Sequence, residues 1–339
     1  MADTPVSLLE DSRFFRWACE HGSRLTLSCE RTLIQEGVQT PDLFLLLEGW
    51  GQVRTSRTAP AGAGRPGSGP DGADLEAVDL AEIGPGQFVG EMSLLEQRLP
   101  VATVVALPGS RWLQLSYAAL QAAMAVDPQL AIDVYQVFAT KLALQLSRQN
   151  AFIHRWPGHD VEPLRKVLLL FGEWNDRDVA WLAEAGHRLE VGAGVTFIAE
   201  GHPVDQLYVL LDGEADVVIA QGKSGVLVGS SRRGEVLGEM SFLGGGEEAT
   251  ASVRARQPLQ LLAIPKRTVR QQLRADLHFA QRFYRSLAVL LSHRCRDQLL
   301  ARGMAAQAAA LEELDLAMLS SLSAAGRRFE WLCREMAQA

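Results

Sequence analysis

The chain has 339 residues, 47% hydrophobic and 22% charged, with a net charge of −7 and an isoelectric point near 5.6. That length serves two ordinary domains with separate cores. The acidic balance argues against a dedicated nucleic-acid binder, and no apolar run reaches the ~18 residues that would span a bilayer.

The start, MADTPVSLLEDSRFF, has no basic patch and no apolar signal core, so cytoplasmic residence without a membrane anchor is expected. Its first periodic stretch predicts a helix from Leu8 to Glu20. Short strands with turn residues at regular spacing follow. The apolar run LFLLLEG, ending on an acidic-Gly pair, suits a buried strand entering a hairpin. Next comes TAPAGAGRPGSGPDGADLEA, rich in Gly, Pro and Ala and without aromatics, which predicts a flexible insert over 56-78. A closing strand at Trp112 to Leu115 leads into helix from Tyr117 to Ala151, with a break at Asp127-Pro128.

The same order then recurs. WACEHGSRLTL, from Trp17, meets WLAEAGHRLEV, from Trp181, at an offset of 164, which also pairs Glu36-Gly37 with Glu200-Gly201 and Gly49 with Gly213. At GEMS the offset drops to 148, so the first copy holds the extra residues of the insert. The second copy predicts a helix from Val161 to Ala185, broken near Asn175-Asp176. It continues with the strand LYVLLDG, a closing strand at Leu261 to Ile264, and helix from Val269 to about Arg302. Consecutive strands without intervening helices favour a closed β-roll over a βαβ sheet. The chain is therefore a tandem duplication of α+β class: two β-rolls of jelly-roll type with flanking and C-terminal helices. The partition is 1-150, a linker at 151-160, 161-302, and a helical tail at 303-339.

The tail places Leu311, Leu314, Met318, Leu322, Ala325, Phe329, Leu332 and Met336 on one helical stripe. It leaves two readings open: packing on its own domain, or a homodimer through the C-terminal helices. Phe283, Leu287, Leu290, Leu291 and Cys295 form another stripe, beside Arg282, Arg285, Arg294 and Arg296, which predicts an interdomain contact or a dimer seam.

The ordered set EG, LLLEG or VLLDG, GPGQFVGEMSLL or RRGEVLGEMSFL, then ATV or ASV, occurs twice. In it the sequence resembles the cyclic-nucleotide-binding domain family, the β-roll shared by the catabolite activator protein and the regulatory subunits of protein kinase A. The resemblance implies a short helix after Gly-Glu whose backbone N–H groups face a cyclic phosphate. It implies a Glu, here Glu91 and Glu239, that accepts from the ribose 2′-hydroxyl. It also implies an Arg later in the loop that neutralises the phosphate, followed by a small residue. Gly90, Glu91 and Ser93 match in the first copy, and Gly238, Glu239 and Ser241 in the second. The Arg position falls on Pro100 and on Ala249, the latter followed by Thr250. Arg98, two residues early, is the first candidate substitute; Arg254, Arg232 and Arg233 are weaker ones. Thr250 and Ser252 remain as hydroxyl donors in the second copy. Without the directional Arg–phosphate pair a cyclic nucleotide is doubtful as a ligand, and no cofactor is expected. On this reading Gly90 and Gly238 serve a tight reversal, and the Met and the Leu or Phe after Gly-Glu anchor the short helix in the roll.

These residues favour a non-catalytic cytoplasmic regulator acting through an unknown protein partner or as a dimer. The alternative is a receptor for cyclic AMP, cyclic GMP or another small anion with altered specificity. A transcription regulator of the catabolite activator class would append a basic helix-turn-helix, whereas the tail's Arg327, Arg328 and Arg334 are balanced by acids. Catalysis is not expected, because the seven His show no HExxH and no paired metal spacing and the chain has no nucleophile elbow. Cys19, Cys29, Cys295 and Cys333 are too scattered for zinc or a disulfide framework.

Overall fold

The structure, a computed structural model, describes residues 12–58, 75–151, 170–221, 224–243, 247–301 and 316–338. These form two compact units. One holds the chain up to Val134 together with the stretch from Arg294, and the other holds Tyr135–His293 and the tail helix. The units differ from the sequence partition, because helices at the ends of the repeats are divided between them.

In the first unit, helix α1 (Arg13–His21) precedes strands β1 (Ser23–Thr26), β2 (Arg31–Ile34), β3 (Asp42–Glu48), β4 (Gly51–Thr58), β5 (Leu75–Ile83) and β6 (Phe88–Val89). The short helix α2 (Glu91–Glu96), strands β7 (Thr103–Ala106) and β8 (Arg111–Ser116), and helices α3 (Tyr117–Val126) and α4 (Pro128–Ala151) complete the first repeat. Two antiparallel four-stranded sheets result, with orders β1-β8-β3-β6 and β2-β7-β4-β5. Leu46 and Trp112 of one sheet and Val104 and Ala106 of the other share one core.

The second repeat opens with helix α5 (Asp176–Ala185). Strands β9 (His187–Val191), β10 (Thr196–Ile198), β11 (Gln206–Asp212), β12 (Glu214–Gln221), β13 (Ser224–Arg232) and β14 (Val236–Leu237) follow. Then come α6 (Glu239–Leu243), β15 (Ser252–Ala255), β16 (Leu259–Pro265), α7 (Lys266–Ala275), α8 (Leu277–Ala301) and, in the tail, α9 (Leu316–Gln338). Its sheets, β14-β11-β16-β9 and β10-β15-β12-β13, reproduce the first pair strand for strand.

The acidic-Gly pair does not enter a hairpin as expected. β3 pairs with β8 and β6, while β4 pairs with β5 and β7 in the facing sheet. Gly49 and Gly213 are where the chain changes sheet. Both have positive φ, +84° and +98°, and a Cβ would lie 2.7 Å from Ser110 Cα and from the Pro258 carbonyl respectively. The unbroken apolar run of β3 follows from burial on both faces, since Leu43 through Leu46 are all buried.

The predicted insert is also corrected at its edges. β4 continues to Thr58 and β5 starts at Leu75, with Thr58 opposite Leu75 and Ser56 opposite Ala77. Residues 56–58 and 75–78 are thus hairpin strands, and the rest of the insert lies outside the described residues.

Helix breaks follow short acidic or amide side chains that accept backbone N–H groups. Asp127 Oδ1 takes Gln129 N at 3.0 Å and Leu130 N at 3.2 Å. Asn175 and Asp178 form a reciprocal capping box, with bonds of 2.9 and 3.0 Å. The predicted single helix from Val269 is two helices, because Asp276 accepts Phe279 N at 2.9 Å and caps α8. The first helix begins at Arg13, where Ser12 accepts Phe15 N at 3.1 Å. Its predicted first turn, the 151-160 linker and the start of the helix from Val161 fall outside the described residues.

Of the two readings for the tail, the described part of α9 takes the first. Ala325, Phe329, Leu332 and Met336 are buried, and Phe329 lies 5.0 Å from Phe171 in edge contact within its own unit. Leu311 and Leu314 lie outside the described residues. The basic flank of α8 is also engaged within the chain. Arg282 makes two bonds to Asp178, at 2.6 and 2.8 Å, and Arg285 lies 3.1 Å from Glu173.

Candidate functional site

Each roll presents its Gly-Glu turn on a tight reversal. Gly90 has φ +102°, and a Cβ there would come 3.0 Å from the Asp42 carbonyl and the Tyr117 hydroxyl. Gly238 has φ +84°, with the Gln206 carbonyl 2.7 Å from the same hypothetical atom. The conformational role expected of both glycines follows from these contacts. Glu91 and Ser93 on the short helix α2, and Glu239 and Ser241 on α6, are all buried.

What anchors those helices differs from expectation. Met92 packs with Val101 and Leu80 and with Leu299 of α8, and Phe242 contacts Phe283 on α8 at 5.6 Å, with the Arg270 guanidinium 5.3 Å above its ring. Both short helices are therefore held through α8 as well as through their rolls.

The loop after each short helix is fixed by backbone bonds. The Pro100 carbonyl accepts Gly37 N at 3.0 Å, and the Ala249 carbonyl accepts Gly201 N at 2.9 Å. Pro100 and Ala249 therefore occupy the same place in their rolls, as the alignment of ATV with ASV implies, and neither side chain is a cation. The equivalence extends to Thr103 and Ser252, whose hydroxyl oxygens accept Glu36 N at 3.1 Å and Glu200 N at 3.0 Å. Thr250 is exposed, with its hydroxyl 3.6 Å from the Met240 sulfur.

The substitute arginines have other neighbours. Arg98 Nη1 lies 4.0 Å from Glu96 Oε2. Arg254 is exposed and donates to the Gly194 carbonyl at 2.9 Å, Arg232 pairs with Glu214 at 3.2 Å, and Arg233 sits 5.2 Å over the Phe329 ring.

Three arrangements go beyond the sequence: two at residues named there, Glu36 and Arg296, whose partners it does not show, and one at Lys266, which it does not single out. Glu36 is buried in the first roll, where its carboxylate accepts Ser56 N at 2.7 Å and the Ser56 hydroxyl at 2.5 Å. The Thr55 hydroxyl is 3.1 Å away. Arg296, from α8, reaches Glu96. Lys266 is buried and donates to Ser241 Oγ at 2.6 Å, and Ser241 in turn donates to the Gly238 carbonyl at 3.1 Å. At the equivalent place in the first roll Tyr117 donates directly to the Gly90 carbonyl at 2.7 Å. The Tyr-for-Lys exchange was visible by alignment, but neither residue belongs to the motif.

Burial, followed by the nearby Arg270, lowers the Lys266 ammonium to about 8, although Glu239, Asp205 and Glu247 pull the other way. A base whose folded pKa lies below its unfolded value costs stability while protonated in both states. That cost is fully present below about pH 8 and disappears as pH approaches the ordinary lysine value of 10.5. Lys266→Met is therefore expected to raise stability by about 2 kcal/mol at pH 7, net of one lost hydrogen bond. The advantage should shrink steadily between pH 8 and 10, which urea denaturation of both proteins at each pH will measure.

Among the described residues, no helix is long and apolar enough to cross a membrane. Nor does any group of three or more His, Cys, Asp or Glu among them offer a metal site.

The family model described as "Cyclic nucleotide-binding domain" matches residues 24–127 and 188–276. A cAMP-dependent protein kinase regulatory subunit from Aspergillus niger is 28% identical over 207 residues, 60% of this chain and 42% of the relative. A subunit of the same description from Emericella nidulans is 27% identical over 205 residues, with the same coverage. The chain thus spans under half the length of these curated relatives. Among solved structures, the regulatory domain of Toxoplasma gondii PKA with cAMP is 16% identical, covering 88% of this chain and 98% of that one, with a TM-score of 0.31.

Proposed function

Because the chain belongs to the cyclic nucleotide-binding domain family, we propose that it is a non-catalytic cytoplasmic regulator whose two rolls act through a protein partner, and that neither roll holds a cyclic nucleotide tightly. The supporting observation is the shared backbone role of Pro100 and Ala249, which puts an uncharged residue where the family resemblance calls for a phosphate arginine. The curated relatives are kinase regulatory subunits by description, which favours a protein partner over an enzymatic role. The candidate pockets are Gly90, Glu91, Ser93 and Arg98 in a first domain within 1-150, and Gly238, Glu239, Ser241, Thr250 and Ser252 in a second within 161-302.

Calorimetry with cyclic AMP and cyclic GMP tests the reading. Loss of a charge-assisted bidentate pair removes several kcal/mol, so dissociation constants above roughly 100 µM are expected. Ala249→Arg should strengthen binding at least tenfold, because that loop has hydroxyls from Thr250 and Ser252 nearby and no proline. Pro100→Arg should do less. Tight wild-type binding that disappears in Arg98→Ala would instead establish the receptor with altered specificity.

A further inference from the structure

The first short helix is not left open to solvent. Glu96, its last residue, has a fully buried side chain, and Arg296 on α8, 1% exposed, donates to it from Nε at 2.5 Å. Arg296 Nη2 donates at 3.0 Å to the carbonyl of Leu99, in the loop that follows. One turn on, Leu299 is buried in a cluster with Val101 from that loop, Met92 from α2 and Leu80 from β5. The stretch of α8 from Arg294 belongs with the first unit, so one helical turn touches the short helix, its loop and the strand beside them.

We propose that Arg296 and Leu299 are a built-in latch on the first Gly-Glu turn, an intramolecular occupant that any ligand or partner approaching this face must displace. The chemistry is specific to the first copy. A carboxylate and a backbone carbonyl match the fork of one guanidinium, and an apolar notch one helical turn away takes a leucine. The second copy has Gly244 where the first has Glu96, so that position carries no carboxylate for such a fork. A buried pair of this kind contributes to position more than to net stability, as suits an element that opens and closes.

The inference does not depend on whether either roll binds a nucleotide, and its test uses none. Amide hydrogen exchange would be measured on the full chain across residues 91–101, with α6 and β11 as internal controls. Leu299→Ala should speed exchange across 91–101 by at least tenfold and leave α6 and β11 within twofold. Arg296→Gln alone would take the 2.5 Å donor from a buried carboxylate, so the charge arm uses Glu96→Gln combined with Arg296→Gln, with the same result expected. Arg296→Lys should fall between, since an ammonium cannot span both acceptors. Unchanged exchange over 91–101 in both arms, or equal acceleration in α6 and β11, overturns the latch. Tight nucleotide binding by the wild type would overturn the proposed function while leaving this result standing.

Discussion

Replacing Trp112 with alanine is expected to cost about 3–5 kcal/mol, the usual range for emptying a buried aromatic site. The indole is fully buried between the two sheets of the first roll, and its N–H donates to Ser110 Oγ at 2.9 Å. It also lies against bare backbone: a Cβ on Gly51 would come 2.8 Å from the ring. The second roll solves the same packing problem with Leu261 and Ala215, both fully buried at the corresponding positions. A large residue facing a glycine has been exchanged for a medium one facing an alanine, so the added methyl refills part of the volume that the smaller side chain gives up. Trp112→Leu combined with Gly51→Ala should therefore be more stable than the sum of the single changes predicts, because each single change leaves a void or a clash. Denaturation midpoints of the four proteins give the coupling directly; strict additivity would show that the two sites do not share space.

Glu36→Ala is expected to cost about 3 kcal/mol, and Glu200→Ala only about 1. Both residues begin the same Glu-Gly pair. Glu36 is buried and accepts from Ser56 N and the Ser56 hydroxyl, and shares the Thr55 hydroxyl at 3.1 Å with the Val101 carbonyl, so its removal takes the acceptor from the two Ser56 donors away from water. Glu200 is only half-buried and accepts Ala220 N at 2.6 Å. Glu36→Gln should fall between, since an amide oxygen can keep one or two of the three bonds while the NH₂ meets donors. Equal losses at the two positions, measured by chemical denaturation, would mean that the buried network of the first roll contributes no more than one ordinary bond.

The duplication was legible because its markers are residues that backbone geometry demands: Gly49 and Gly213 at the sheet change, and Gly90 and Gly238 at the short helices. The order of strands inside each sheet was not. An apolar run reports burial on both faces but carries no record of which strand lies beside it, so β3 was read as half of a hairpin. The break at Asp276 is legible by alignment, since Asp127 stands at the matching place in the first copy, and the carboxylate, not the proline that follows Asp127, is what the two breaks share. The tail stripe could not be resolved from sequence, because an apolar face reads the same whether its own domain or a second molecule covers it. At the candidate site, motif positions gave Pro100 and Ala249. Arg296 was out of reach, because its partner lies 200 residues earlier and no spacing rule connects them.

That separation bears on how the molecule is made. A ribosome releases the chain from the N-terminus, so all eight strands of the first roll emerge long before Arg296 and Leu299. Until synthesis has passed α8, the face over α2 waits without its cover, and the Glu96 carboxylate without the Arg296 guanidinium. The first roll is thus begun early and finished late. An expression fragment ending after α4 would carry every strand of the first roll and still lack part of its unit, whereas a fragment running through Ala301 would supply the missing turns.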